Sequence, residues 1–128
     1  MMPARWRPAD PNVLFTLVLW PINVEEYLLV LPPERWRIML DKLRTQSLGD
    51  EGVAAIERVI GSTSAQLTMD RAGRLTLPDH LTGPAGITEK AEFVGRLHIF
   101  EIWSPERRAL ALAKDKTLAA SEAKRINL

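Results

Sequence analysis

Short apolar runs, separated by proline, glycine and charged residues, divide the chain into predicted strands and helices. The segment NVLFTLVLW, Asn12 to Trp20, is rich in β-branched and aromatic residues and too short for a typical helix, which predicts a strand. YLLVL, Tyr27 to Leu31, predicts a second strand that forms a hairpin with the first. Near the other end, AEFVG and HIFEIW predict another hairpin around Arg96 and Leu97.

Helices are predicted where apolar residues recur every three or four positions. After Pro33, which suits a first helical turn, one apolar face is formed by Trp36, Met39, Leu40 and Leu43. A second helix, from about Glu51 to Ile60 and ended by GSTS, directs Val53, Ile56 and Ile60 inward. The segment DHLTGPAGI predicts a short helical turn or loop. A last helix, SPERRALALAKDKTL, has Ser104 as its N-cap and a polar tail that is expected to fray.

The segment LTMDRAGRLTLP, Leu67 to Pro78, alternates in period two on both sides of a polar turn. This predicts two short strands joined at Asp70–Arg74. Gly73 is expected to supply the positive φ that such a turn requires.

Two parts of the chain repeat the same order of elements. Pro33-Glu34-Arg35 matches Pro105-Glu106-Arg107, and each triplet follows an apolar strand. PARWRPADPN, from Pro3, similarly matches PDHLTGPAGI, from Pro78. We therefore predict one domain over residues 1–128, with a first repeat at 3–62 and a second at 63–128. The counterpart of the Asp70 turn would fall ahead of Met1, so we expect either that the start has been set too far downstream or that the first repeat has lost its leading strand pair and turn.

Composition excludes several kinds of chemistry. There is no cysteine among the 128 residues, which excludes disulfides, thiolate metal sites and cysteine nucleophiles. His80 and His98 have no carboxylate at ligand spacing, and no phosphate-binding loop or catalytic triad order is present. We expect no enzymatic activity, no cofactor, no metal site and no small-molecule substrate. No signal peptide or membrane span is predicted, which favours the cytoplasm.

The second repeat closely resembles the second half of MraZ proteins, bacterial regulators of the division and cell wall gene cluster. The resemblance covers Pro3 to about Arg108 and is specific because all of its elements occur in the family's order. Its elements are Asp70, Gly73, Arg74, Leu75, Leu77, Pro78, Ala85-Gly86-Ile87, Val94-Gly95 and Glu101-Ile102-Trp103. MraZ proteins normally carry the Asp-x-x-Gly-Arg element twice, and this chain carries it once.

The resemblance implies a fold and a function. The fold is α+β, a duplicated swapped-hairpin β-barrel of the AbrB/MazE/SpoVT-like group with helices after each repeat. The function is sequence-specific DNA binding by a nucleoid-associated transcriptional regulator, a repressor, which acts on the division and cell wall cluster promoter. A ring-shaped homo-oligomer would engage short direct repeats in that promoter, because several weak contacts made together raise the overall affinity. A second hypothesis is an oligomeric protein-interaction module that lost DNA binding through N-terminal truncation.

Arginines near the glycine turn are the candidate DNA-binding residues. Arg71 and Arg74 flank Gly73, and an arginine fork suits both phosphates and guanine edges. With the resemblance, DNA contact is favoured for Arg71, whereas Arg74 could equally pair with Asp70 and close the turn. Arg5 and Arg7 could add phosphate contacts, although an ordinary solvated terminus is nearly as good an explanation. Asp70 and Gly73 are assigned to the structure of the turn.

Overall fold

The described part of the chain forms one antiparallel sheet of five strands with four helices around it. The computed structural model describes residues 7–21 and 25–128. Its elements are β1 (Phe15–Trp20), β2 (Tyr27–Leu31), α1 (Pro33–Arg44), α2 (Glu51–Thr63), β3 (Ala65–Leu67), α3 (Asp79–Thr82), β4 (Glu92–Arg96), β5 (Ile99–Trp103) and α4 (Pro105–Arg125). The strand order across the sheet is β3-β1-β2-β5-β4.

The sheet carries an apolar cluster on each face, because β1 and β2 are apolar at nearly every position. One face is covered by α3 and the loop that follows it, and its cluster includes Leu17, Leu28, Phe100, Ile102 and Leu81. The other face is covered by α1 and α2, and its cluster includes Val18, Leu29, Leu31 and Ile60. Alternate side chains of a strand point to opposite faces, so continuous apolar runs such as FTLVLW fit a strand buried on both sides.

The pairing of β2 with β5 is symmetric about its centre. Leu29 pairs with Glu101, and the flanking pairs are Leu28 with Ile102 and Val30 with Phe100. This register is the one expected when the hairpins β1–β2 and β4–β5 are related by a two-fold axis through Leu29 and Glu101. The division into repeats at 3–62 and 63–128 stays a prediction.

The α+β class is confirmed, but the closed barrel that we expected is not seen in the part of the chain described. The sheet is open: β3 pairs with the outer edge of β1, and no described strand pairs with the outer edge of β4. A barrel closes only when both edge strands find a partner.

The prediction of two strands paired across the Asp70 turn is wrong. The segment before the turn forms only β3, which pairs with β1 through Phe15 and Leu67. The segment after the turn, residues 74–78, is not a strand, although Leu75 and Leu77 pack against the core. β3 therefore pairs with the outer edge of β1. The turn itself is closed by hydrogen bonds among its own residues.

The helix predictions hold in position but not in all their bounds. The four apolar residues predicted on one face of α1 are the half-buried ones in that helix, and its charged residues are exposed. α2 continues through Gly61 to Thr63, and Ile56, predicted inward, is 37% exposed. α4 begins as predicted, with the Ser104 hydroxyl accepting from the Arg107 amide at 3.3 Å, but it continues to Arg125 instead of fraying. None of the helices in the described ranges has the length and apolar character needed to cross a lipid bilayer.

Candidate nucleic-acid interface

The Asp70–Arg74 turn is closed by hydrogen bonds from both backbone and side chain. The Asp70 amide donates to the Arg74 carbonyl at 2.9 Å, and the Gly73 amide donates to the Asp70 carbonyl at 3.0 Å. One oxygen of the Asp70 carboxylate accepts from the amides of Ala72 and Arg74, each at 2.9 Å. The other oxygen accepts from Arg74 Nε at 2.9 Å. The backbone bond from Arg74, followed by the other donors, lowers the pKa of Asp70, so the carboxylate is ionised when it closes the turn.

Gly73 has a φ of +78° and is buried, as a tight turn of this kind requires. A side chain at this position would occupy the place of the Arg7 guanidinium, which lies directly against the glycine. The turn and the segment from Arg7, separated by more than sixty positions in the sequence, are thus brought together. Arg5 lies outside the described residues.

Three arginines therefore surround one closed turn, and they differ in how they are held. Arg71 is exposed, and its side chain forms no hydrogen bond or ion pair within the described ranges. The Arg74 side chain is bonded to Asp70 and is still 67% exposed. Arg7 is half-buried against the turn. A guanidinium held at a rigid turn can donate two parallel hydrogen bonds either to an anionic phosphate or to the planar edge of a guanine. The arrangement is therefore suited to binding nucleic acid.

The turn borders a groove between two parts of the core. The groove has a volume of about 480 Å³ and runs between the segment after the turn and the edge of β4. Its lining is formed by Asp70, Arg74, Leu75, Thr76, Leu77, Ala91, Phe93 and Ile102. Apolar side chains thus lie beside the charged residues of the turn.

A buried polar cluster on β5 was not predicted from the sequence. Glu101 is 5% exposed, and its carboxylate accepts from Trp103 Nε1 at 2.6 Å and from Arg96 at 3.1 Å. Tyr27 stacks on Trp103 with ring centroids 4.4 Å apart. Burial, and then the charge of Glu101, raise the pKa of Tyr27 to about 12. The spacing of Glu101 and Trp103, two residues apart on one strand, was the available signal, since it places both side chains on the same face.

The histidines and carboxylates do not assemble into a metal site in the described part of the chain, where no group of three or more potential ligands occurs. His80 Nε2 lies 3.0 Å from the Thr63 carbonyl, which links α3 to the end of α2. This contact has a structural role.

Comparison with known proteins identifies the family. A family model described as "MraZ protein, putative antitoxin-like" matches residues 62–127, slightly more than half of the chain. The chain belongs to the MraZ family. The resemblance deduced from the Asp70 turn and the elements after it is thereby confirmed.

Individual MraZ relatives match more of the chain than the family model does. A protein named transcriptional regulator MraZ from Thermomicrobium roseum is 32% identical over 98 residues, which cover 77% of this chain and 67% of the relative. One of the same name from Caulobacter vibrioides is 36% identical over 86 residues, 67% of this chain and 53% of the relative. One from Histophilus somni is 28% identical over 121 residues, 94% of this chain and 80% of the relative. The matched segment thus spans from about half to four fifths of these relatives' lengths.

Proposed function

We propose that this chain is a DNA-binding transcriptional regulator of the MraZ type, with Arg71 as its principal DNA contact. The observation that carries the proposal is the geometry of the turn: Arg71 is exposed on a closed loop and is bonded to no other described side chain, and Arg7 and Arg74 lie beside it. The relatives' name, transcriptional regulator, supports the same role. MraZ is a family of regulators and not of enzymes, which agrees with the lack of catalytic groups in the sequence.

The finer features of the proposal follow the family resemblance. The target is promoter DNA of the division and cell wall gene cluster, bound as a repressor at short direct repeats by a homo-oligomeric ring. Nucleoid association in the cytoplasm would follow from that partner. Arg7 and Arg74 would add phosphate contacts beside Arg71, and Arg5 stays a candidate for the same role. Linked turns in an oligomer compensate for the few contacts that one turn can make.

The test is a titration of fluorescently labelled promoter DNA at two salt concentrations. Loss of one phosphate contact in Arg71→Ala should reduce the log–log salt slope by about one unit, because fewer counterions are released. Loss of a bidentate base contact would instead cost about 1–3 kcal/mol and relax sequence preference. The matched control is Arg35→Ala, which removes an exposed arginine from α1, the helix that covers the opposite face of the sheet.

Arg74→Ala separates the two roles of that residue. It removes a cation and also the bond from Nε that holds Asp70, so it should weaken DNA binding and loosen the turn together. If wild type binds DNA no better than Arg71→Ala and Arg74→Ala at low salt, the turn is structural only.

The alternative function, an oligomeric protein-interaction module without DNA binding, is favoured by one observation. Among the described residues no strand pairs with the outer edge of β4, which lies next to a groove lined by both apolar and charged side chains, and such an edge is a site for strand addition. This module would self-associate normally and show no salt-dependent DNA binding in the titration above.

A further inference from the structure

Two glycines in the described part of the chain adopt a left-handed backbone conformation, and an arginine covers each of them. Gly73 has a φ of +78° and Gly86 a φ of +70°. A Cβ built on Gly73 would meet Nε, Cζ and Nη2 of Arg7, and one built on Gly86 would meet the same three atoms of Arg107. In each case the three distances together place the Cβ over the face of the guanidinium and not beside its edge. Both glycines therefore carry a stacked arginine where another residue would carry its own side chain.

Arg107 shows what such a contact does. Its Nη1 donates to the carbonyls of Glu26 and Pro84, each at 2.8 Å, while its face covers Gly86. It thereby joins the start of α4 to the residue before β2 and to the loop after α3. An arginine suits this position because its planar, weakly hydrated guanidinium can pack against backbone and still donate hydrogen bonds from its edge. Arg107 thus holds three segments together.

The contact at Gly73 joins the middle of the Asp70–Arg74 turn to the segment before β1. The hydrogen bonds that close the turn connect residues 70–74 to one another, so they determine its shape but not its orientation on the domain. Met69 and Leu75, at its two ends, pack against the central apolar cluster. Arg7 is half-buried and contacts the turn between those ends, two residues from the exposed Arg71. Its contact is therefore placed to fix where Arg71 lies.

We infer that Arg7 is a positioning residue for DNA binding: its guanidinium, stacked on Gly73, holds the turn in the orientation from which Arg71 reaches DNA. A turn that is ordered before binding loses less entropy on association, which raises the affinity of the contacts it makes. The inference rests on the proposed DNA binding. It gives Arg7 a role that depends on the shape of the side chain, whereas the phosphate contact considered above depends on its charge, and the experiments below separate the two.

The first test keeps the charge at residue 7 and removes the planar group. A lysine ammonium is compact and strongly hydrated and does not replace a stacked guanidinium. In titrations of labelled promoter DNA, Arg7→Lys should therefore weaken binding by about tenfold, the effect of losing one favourable contact at Arg71. Lysine would keep a phosphate contact, so binding like wild type overturns the inference. Arg35→Lys, the same change at an exposed position on α1, is the control and should bind like wild type.

The second test displaces the guanidinium without changing Arg7. Gly73→Asn introduces a Cβ at the place of the guanidinium, but asparagine tolerates the left-handed conformation. The variant should keep most of the wild-type stability and still bind DNA about tenfold more weakly. The matched control is Gly86→Asn, which displaces Arg107 in the same way and should bind DNA like wild type once thermal melting has shown it to be folded. Wild-type affinity in Gly73→Asn would contradict the inference.

A double-mutant cycle shows whether Arg7 acts through Arg71. If Arg7 positions the turn, Arg7→Ala should weaken DNA binding in the wild-type background and have much less effect in a chain that already carries Arg71→Ala. Independent phosphate contacts would instead make the two losses add. Full additivity therefore overturns the inference.

Amide hydrogen exchange provides a measurement without DNA. The Ala72 and Arg74 amides donate to the Asp70 carboxylate, so their exchange reports the opening of the turn. Exchange at both amides should be about threefold or more faster in Arg7→Lys than in wild type, and equal rates would overturn the inference. A wild-type chain that binds no DNA removes the proposed function, whereas the exchange rates still decide whether Arg7 holds the turn, so the two failures are distinguishable.

Discussion

Replacing Gly73 by alanine tests whether the Asp70 turn depends on left-handed backbone geometry. At a φ of +78°, an alanine side chain costs about 1–2 kcal/mol, because its Cβ approaches the following carbonyl oxygen. The added Cβ also meets the Arg7 guanidinium, but this is the far end of a flexible side chain and can move at little cost. At about 4 °C per kcal/mol for a domain of this size, Gly73→Ala should lower the melting temperature by about 4–8 °C.

A matched control, Gly61→Ala, should change the stability in the opposite direction. Gly61 lies inside α2 with open space around the position of a Cβ, so Gly61→Ala should raise stability by about 0.5–1 kcal/mol through helix propensity. Gly73→Asn should recover much of the loss, since asparagine tolerates the left-handed region. The melting temperatures of all three variants and of wild type are measured by circular dichroism. If Gly73→Ala melts at or above the wild-type temperature while Gly61→Ala is stabilised, the turn does not depend on a left-handed backbone conformation at residue 73.

Two further predictions concern the core. Leu81 is fully buried in α3, so Leu81→Ala should lower the free energy of unfolding, measured with urea, by about 2–5 kcal/mol. The control, Leu48→Ala, changes an exposed leucine and should leave that free energy almost unchanged. Equal urea midpoints for the two variants would refute the packing of α3 on the sheet. Tyr27 is the chain's only tyrosine, so tyrosinate absorbance near 295 nm should titrate at a pH of about 12 in the folded protein and about 10 in urea. Because the folded pKa is the higher one, this stabilisation is complete below pH 10 and is lost as the pH rises from 10 to about 12, and Tyr27→Phe should abolish that dependence.

The features that depend on neighbouring residues in the sequence were predicted correctly. β2 has the bounds that its apolar run predicted, and α1 begins at its proline and directs the predicted face inward. The turn at Gly73 was likewise predicted, because only a few residue types tolerate its geometry. Each of these features depends on residues within about one turn of helix or one strand of each other.

Features that depend on distant partners were not predicted. β3 pairs with β1 and not with the segment after its own turn. Both of these possible partners are apolar, so the alternation of apolar and polar residues in the sequence does not show which of them β3 pairs with. Nothing in the sequence near Arg7 indicates that its guanidinium lies against Gly73. Glu101 is buried because Arg96 and Trp103 both donate to it, and burial of a carboxylate is tolerated only where such donors converge.

Self-association and DNA binding, if both hold, must be coupled. Asp70 and Arg74 close the turn beside Arg71, and a homo-oligomer would carry one such turn in each copy of the chain. Several sets of arginines in one particle could then engage repeated sites together. The free energy by which DNA strengthens self-association must equal that by which self-association strengthens DNA binding, because coupling between two binding equilibria is reciprocal.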